Sequence, residues 1–401
     1  MTAYKPQTLL EELLLKYPDK PWNWRFVSSN PNITMEFIEE YPDLPWCWLN
    51  ISSNLNLTME FVLSHQDKEL YWHIISSHPN ILMDDIKANP DLPWDWYSIS
   101  QNRNLTMEFI EENPDKPWYW RHISINPNIT MEIIEAHLDK PWNWISISHN
   151  PNITMKFIEA HLDKEWDWFY IMNNANIRFS IEFIEAHPDL NWNWNNISRI
   201  SNMYMIETNP DKPWNWKFIS QNRNLTMEFV EAHLDKPLDW YFISRNPNLT
   251  PEFIEAHPDL HWEWHYISHN PNLTIKFIEA HVDKRWNWGD VTANKNITLN
   301  MIEEYIDIPF RREMISYRTD ITKEYIERNL DEVNWYYLSL NKYGWKKENT
   351  QQYYKQRKTQ TIKQTKHIKE ELIAETWHPD RFMDWCLDTE ELREIEATFG
   401  K

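Results

Sequence analysis

The sequence predicts an all-α fold, an α-solenoid of short helical hairpins, and three observations carry this prediction. Two tryptophans separated by one residue return every 24 residues along most of the 401-residue chain. Each unit contains two short stretches with apolar residues at helical spacing. An Asn-Pro-Asn turn separates the two stretches in many units. A fixed period of this length is typical of an array in which each unit contacts only its neighbours.

The tryptophan pairs define the predicted core of the array. Their two columns hold 22 of the 26 tryptophans, so the aromatic excess belongs to the architecture. Because helices of about two turns are marginal alone in water, stability must come from stacking the aromatic side chains of one unit on the next. The core residues predicted in this way include Trp22, Trp24, Trp46, Trp48, Trp94, Trp96, Trp118, Trp120, Trp142 and Trp144.

Two further columns are expected to begin the helices of each unit. Aspartate occupies the position of Asp19 in fourteen successive units, and aspartate is a good N-cap because its carboxylate accepts hydrogen bonds from free amides of the first turn. Threonine is expected to cap the second helix, and Pro251 after Thr250 fits the first helical position. The predicted caps are Asp19, Asp43 and Asp115 for the first helix and Thr34, Thr130 and Thr250 for the second.

The repeat pattern divides the chain into four parts. Residues 1–17 resemble half a unit and are expected to cap the array, and residues 18–341 hold about 13–14 units. Residues 342–369 form a basic linker or helix with nine Lys or Arg against one acid, and residues 370–401 form a small helical motif. Unit seven is two residues longer than the regular unit, and unit eight is two residues shorter. This irregularity predicts either a local bend that alters the groove or neutral variation in a tolerant loop.

Composition argues against several classes of function. The net charge of −21 disfavours a nucleic-acid binder, and three glycines argue against phosphate-binding loops. The two cysteines, Cys47 and Cys386, predict neither a disulfide framework nor a metal site and favour a reducing compartment. No apolar run approaches the ~20 residues of a membrane span, and no signal peptide is apparent. We therefore expect a soluble, cytoplasmic protein that does not contact membranes.

No catalytic, cofactor-binding or metal-ligating residues are predicted. Acid pairs recur too regularly for an active site, which needs one singular cluster. The histidines that end many second helices lie on different units, too far apart to share a zinc ion. The asparagine column of Asn30 favours helix capping, with peptide binding and nucleic-acid reading as alternatives. The histidine column comprises His65, His137, His161, His187, His233, His257 and His281.

Two motifs resemble proteins of giant DNA viruses of the mimivirus group. The repeat core, such as Asp115 to Trp120 followed by Asn128 to Glu132, is similar to tryptophan-rich repeats in uncharacterised proteins of these viruses. The tail resembles a short C-terminal motif on otherwise different proteins of the same viruses. The resemblance implies a viral protein made in host cytoplasm, with a docking or sorting element in the tail. The residues of that possible docking motif are Trp377, His378, Pro379, Asp380, Arg381 and Trp385.

These observations favour a non-enzymatic repeat scaffold that binds a protein partner. Because regular acidic columns steer oppositely charged molecules, a basic partner is expected. One alternative is a structural or virion-associated component in which the solenoid is a spacer. A second alternative is an enzyme or metal protein that uses the C-terminal module.

Overall fold

The computed structural model describes residues 4–174, 177, 179–190 and 192–343, and the predicted fold class is confirmed within them. Every described element is helical, there is no strand, and the helices recur about every 24 residues. The C-terminal motif from Trp377 to Trp385 and nearly all of the basic segment 342–369 lie outside the described residues.

Each unit contains two helices of about one to two turns. The first helix begins at the second tryptophan of the pair and ends before the asparagine turn. First helices are α2 (Trp24–Ser29), α4 (Trp48–Ile51), α6 (Trp72–Ser77), α8 (Trp96–Ile99), α10 (Trp120–Ile125), α12 (Trp144–Ile147), α14 (Trp168–Asn173), α16 (Trp194–Ile200), α18 (Trp216–Ile219), α20 (Trp240–Ile243), α22 (Trp264–Ile267), α24 (Trp288–Ala293), a 3-10 helix (Arg312–Tyr317) and α27 (Trp335–Leu340).

The second helix of each unit begins directly after the threonine column or its substitute. Second helices are α1 (Leu9–Lys16), α3 (Met35–Glu40), α5 (Met59–Ser64), α7 (Met83–Ala88), α9 (Met107–Glu112), α11 (Met131–Ala136), α13 (Met155–Ala160), α15 (Ile181–Ala186), α17 (Met203–Thr208), α19 (Met227–Ala232), α21 (Pro251–Ala256), α23 (Ile275–Ala280), α25 (Leu299–Glu304) and α26 (Lys323–Arg328).

The second helices begin at the threonines that the sequence indicates. The hydroxyl of Thr34 accepts a hydrogen bond from the backbone N–H of Phe37, and Thr130 and Thr250 make the equivalent bond. The extended backbone of each threonine and this one bond satisfy an amide that the first turn leaves without a helical partner.

The aspartates predicted as caps of the first helix do not cap it, and we correct that prediction. Helix α2 begins at Trp24, and its N-cap is Asn23, whose side chain accepts from the N–H of Phe26. Asp19 lies earlier, in a turn in which Lys20 N–H donates to Tyr17 O. Pro18 and Asp19 suit the two central positions of such a turn. Asp43 and Asp115 occupy the same exposed turn in their own units.

Tryptophans of successive units pack against one another along most of the array. The indole N–H of Trp22 donates to the carbonyl of Tyr17 at the end of the preceding second helix, at 2.9 Å. Trp24 meets Trp46 of the next unit edge to face, with ring centroids 5.3 Å apart, a favourable geometry for aromatic pairs. The same contact joins Trp72 to Trp94, Trp96 to Trp118, Trp120 to Trp142, Trp144 to Trp166, Trp194 to Trp214 and Trp264 to Trp286.

A serine and an asparagine from each unit add a polar clamp between neighbours. The buried Ser28 hydroxyl accepts from the backbone N–H of Cys47 in the next unit at 2.9 Å. The buried carboxamide of Asn54 donates back to the carbonyls of Ser28, Asn30 and Ile33. These bonds satisfy carbonyl oxygens that the end of each first helix leaves open, so every clamp also fixes the register of two units.

The two ends of the array meet and close it into a circle. Ser339 of α27 accepts from the N–H of Asn23 at 2.9 Å, and Asn30 donates to the carbonyls of Ser339 and Asn341. Trp335 meets Trp22 edge to face at 4.9 Å. These are the contacts that consecutive units make elsewhere, so α27 precedes α2 in space as the first helix of a fourteenth unit.

Helix α1 supplies the second helix of that fourteenth unit. It lies beside α26, where Lys16 pairs with Glu327 at 2.6 Å and Lys323 pairs with Glu12. On its other side, Thr8 donates to the carbonyl of Asn32. Sequence analysis expects α1 to cap one end of the array, but within residues 4–343 there is no free end to cap, because α1 and α27 complete one unit between them.

Candidate interaction surfaces

The first helices form the inner side of the circle. Consecutive first helices pack directly on one another, as α2 does on α4, α16 on α18 and α27 on α2, whereas no two second helices in the described chain pack as closely. Neighbouring elements of a ring converge toward its centre, so the first helices face inward and the second helices outward. Fourteen steps of roughly 8–10 Å give a circle roughly 35–45 Å across between opposite helix axes.

The outer side is strongly acidic. The exposed position of Glu39, near the end of the second helix, is a glutamate in most units, and we call this column the outer row. Its glutamates are Glu39, Glu111, Glu135, Glu159, Glu185, Glu207, Glu231, Glu255, Glu279, Glu303 and Glu327. The aspartate turns place a second line of carboxylates at the edge where second helices lead into first helices, and lysines that follow them pair with Asp67, Asp163 and Asp235.

The inner side carries aromatic side chains and balanced charge. The position after the second tryptophan, which we call the inner row, is exposed in most units. It holds Arg25, Leu49, His73, Tyr97, Arg121, Ile145, Phe169, Asn195, Lys217, Tyr241, His265, Glu313 and Tyr336. Neighbouring members interact, as where the rings of His73 and Tyr97 stack with centroids 6.3 Å apart. Tyr241 also contacts Tyr266 of the next unit, where the two hydroxyls lie 2.9 Å apart. The inner side therefore presents aromatic faces without the acidic bias of the outer row.

The histidine column is engaged in packing and local hydrogen bonds. His233 stacks on Phe229 with centroids 4.2 Å apart, and its Nδ1 lies 2.8 Å from the Phe229 carbonyl. His161 reaches the neighbouring unit, where its Nε2 lies 2.8 Å from the carboxylate of Glu135. No group of three or more His, Cys, Asp or Glu within the described residues is arranged to hold a metal ion.

The asparagine column is buried between units, which sequence reasoning alone did not anticipate. Asn54, Asn102, Asn150 and Asn222 are at most 1% exposed, so their carboxamides contact backbone rather than any external ligand. The tandem turn asparagines add a second bond, as where Asn56 donates to the carbonyls of Pro31 and Ile33. The signal for this role was the recurrence, in most units, of two asparagines that flank a turn.

In two units a different side chain replaces the clamp asparagine and still donates to a carbonyl of the preceding unit. His78 places its Nε2 3.1 Å from the carbonyl of Asn54, and its Nδ1 accepts from the N–H of Asn80. Burial lowers the pKa of His78 from 6.5 to about 4. Arg318 donates to the carbonyls of Thr292 and Asn294, and Asp320 neutralises its guanidinium. The common feature of this column is a side-chain N–H that donates to a backbone carbonyl of the preceding unit, not a single residue type.

The described chain is thus a closed circular array of fourteen helical hairpins, with an acidic outer side and an aromatic inner side. Comparison with family models, with curated proteins and with solved structures finds no match to this chain. Among the described residues, no helix combines the length and apolar character that crossing a membrane requires.

Proposed function

We propose that this protein is a non-enzymatic scaffold that binds a basic protein partner on the outer side of its ring. The observation that carries the proposal is the outer row, in which glutamates recur at nearly every unit and remain exposed. Opposite charges at matched spacing steer association and fix its orientation. The inner row holds three basic residues and one glutamate, so it does not favour a basic partner.

Two double variants with the same change in net charge test which side binds. Glu255→Lys with Glu279→Lys alters the outer row, and Glu263→Lys with Glu313→Lys alters exposed inner positions. None of these four glutamates has an ion pair with a described residue. Affinity capture with mass spectrometry should recover lysine- and arginine-rich proteins with the wild type and the inner variant.

The outer variant should lose those partners. Equal retention by both variants would contradict binding through the outer row, and equal loss from both would show that net charge alone matters. Raising the salt concentration should weaken capture by the wild type, because exposed charges are screened.

We also propose, from the resemblance of the repeat and tail motifs, a viral protein that acts in host cytoplasm. Quantitative mass spectrometry of purified particles separates an adaptor from a structural component. Absence from the particles supports the host-facing scaffold, whereas many copies per particle would favour the virion-associated alternative.

A further inference from the structure

At the junction of units eight and nine, one contact between units differs from its regular counterpart, although Trp194 and Trp214 and the Asn222 carboxamide join these units as elsewhere. The nine residues from Gln221 to Phe229 are identical to those from Gln101 to Phe109, yet they follow different neighbours. Unit three, which precedes the first copy, has the regular length, whereas unit eight, which precedes the second, lacks two residues. A difference between the two copies therefore comes from the preceding unit rather than from the nine residues themselves.

The difference falls on one asparagine side chain. Asn104 donates to the carbonyls of Pro79 and Ile81 at 2.8 and 3.0 Å. Asn224, its counterpart, is exposed, and its carboxamide donates to no acceptor within the described residues. The shortened turn of unit eight ends at Ser201 and Asn202, and the carbonyl of Ser201 accepts from Asn222 at 2.6 Å rather than from Asn224.

A cavity of about 500 Å³ opens beside Asn224, within the usual range for small-ligand sites. Its apolar lining comes from Met172, Ile177, Phe179, Ile197 and Met205. Met172 occupies the position of the clamp serine in unit seven, so a thioether fills space where other units carry a hydroxyl. Apolar surface and the carboxamide of Asn224 therefore meet in one place.

The charge around the cavity is opposite to that of the chain. Arg199 and Arg223 line it, and none of its described lining residues is acidic, although the chain carries a net charge of −21. Arginine binds carboxylates through charge-assisted hydrogen bonds. The cavity thus selects for an anionic group next to an apolar one.

We propose that this cavity binds a short peptide segment that carries an apolar side chain next to a carboxylate. A peptide carbonyl accepts from the Asn224 carboxamide, as chain carbonyls do from Asn104. The carboxylate pairs with Arg223, and the apolar side chain enters the space between Phe179 and Met205. The site is separate from the outer row and does not depend on the function proposed above.

The test uses N-acetyl-Leu-Leu with a free carboxylate as the probe, titrated against the full-length chain and followed by NMR of the probe. Arg223→Gln should weaken binding about tenfold, the effect of losing one charge-assisted hydrogen bond. Arg103→Gln alters the identical sequence in the regular unit and should leave binding unchanged. Both arginines are exposed, so neither variant disturbs the core.

Two further probes distinguish the parts of the proposal. The same dipeptide with a C-terminal amide should bind about tenfold more weakly, and octanoate should bind more weakly because it has no amide carbonyl for Asn224. Equal binding of the amide would overturn the carboxylate assignment, and equal binding of octanoate would overturn the peptide assignment. Equal effects of Arg223→Gln and Arg103→Gln would overturn the site itself.

Discussion

At the scale of single residues, the described structure depends on donors that reach back to the preceding unit. Three different side chains, those of Asn54, His78 and Arg318, each donate an N–H to the equivalent backbone carbonyl of the preceding unit. Such a column tolerates substitution provided that the donor and its reach are kept, because a buried carbonyl without a partner costs about 1–3 kcal/mol.

His78 gives the ring a local dependence on pH. Its pKa falls from 6.5 to about 4 on burial, so the unfolded chain binds a proton at a pH where the folded chain does not. Its contribution to stability is complete above pH 6.5 and is lost as the pH falls toward 4, by about 3 kcal/mol.

The variant His78→Asn restores the usual residue of the column and should remove this dependence. Denaturant unfolding of both proteins at pH 7.5, 5.5 and 4 measures it, since all other groups titrate alike in the two. The wild type should lose stability relative to the variant as the pH falls. A constant difference across the three pH values would show that folding does not lower the pKa of His78.

The two identical nonapeptides allow a stability comparison free of sequence differences. Asn104→Ala removes two bonds between units and should reduce the free energy of unfolding by about 1–2 kcal/mol. Asn224→Ala removes no bond between described units and should change it by less than about 0.5 kcal/mol. Chemical denaturation of both variants checks this difference, and equal losses would contradict the structural distinction between them.

Sequence analysis locates these asparagines but not their partners. An asparagine that follows a short helix and precedes a proline predicts a local turn. Such a turn is present, as where the N–H of Asn32 donates to Asn30 Oδ1. The bonds between units depend on how neighbouring hairpins are offset, which a pattern within one unit does not contain.

At the scale of elements, the two helices of a unit begin for different reasons. Thr106 caps the second helix with its hydroxyl, which accepts from the N–H of Phe109. The first helix begins at the second tryptophan, three residues after the proline that directly precedes the tryptophan pair. An asparagine or aspartate such as Asn143 or Asp95 caps it in some units, and no side chain caps it in others. Because the first helix begins at the same position with and without such a cap, packing of the tryptophan is sufficient to fix its start, and the cap adds to it where it is present.

A pair of alanine variants checks this assignment in one region of the ring. Thr106→Ala should reduce the free energy of unfolding by about 1 kcal/mol, since an N-cap bond is lost. Asp115→Ala should change it by less than about 0.5 kcal/mol, because Asp115 is exposed in a turn. Unfolding monitored by tryptophan fluorescence measures both, and a larger loss for Asp115→Ala would reinstate the aspartate cap.

The reason for the sequence misassignment is physical. Aspartate is favoured both at helix N-caps and in tight turns, and a proline two residues later fits either setting. The tertiary contacts of the indole rings decide between them, and those contacts lie between units.

At the scale of the whole molecule, closure distinguishes this array from an open solenoid. An open array exposes apolar surface at both terminal units and needs capping units to cover it. Here the first helix of the last unit and the second helix from the N-terminus form one complete hairpin. Trp335 and Trp22 bury the surface that two open ends would leave in solvent.

The sequence contains a sign of closure that periodicity alone does not interpret. The chain begins with half a unit of the second-helix type, and its last described helix is of the first-helix type. Two complementary halves amount to one unit, but they would serve equally well as separate caps. The curvature per unit decides between a rod and a ring, and this small angle accumulates from packing details that the repeat motif does not specify.

Cross-linking the two ends tests the closed ring most directly. Cysteines replace Lys16 and Glu327, whose side chains meet across the junction, in a chain where Cys47 and Cys386 are serine. A short bis-maleimide should join them within one molecule, at a yield independent of protein concentration, whereas the control pair at Lys16 and Glu159, on opposite parts of the ring, should remain unjoined. Failure of the first pair to cross-link, or cross-links that form only between molecules, would contradict closure.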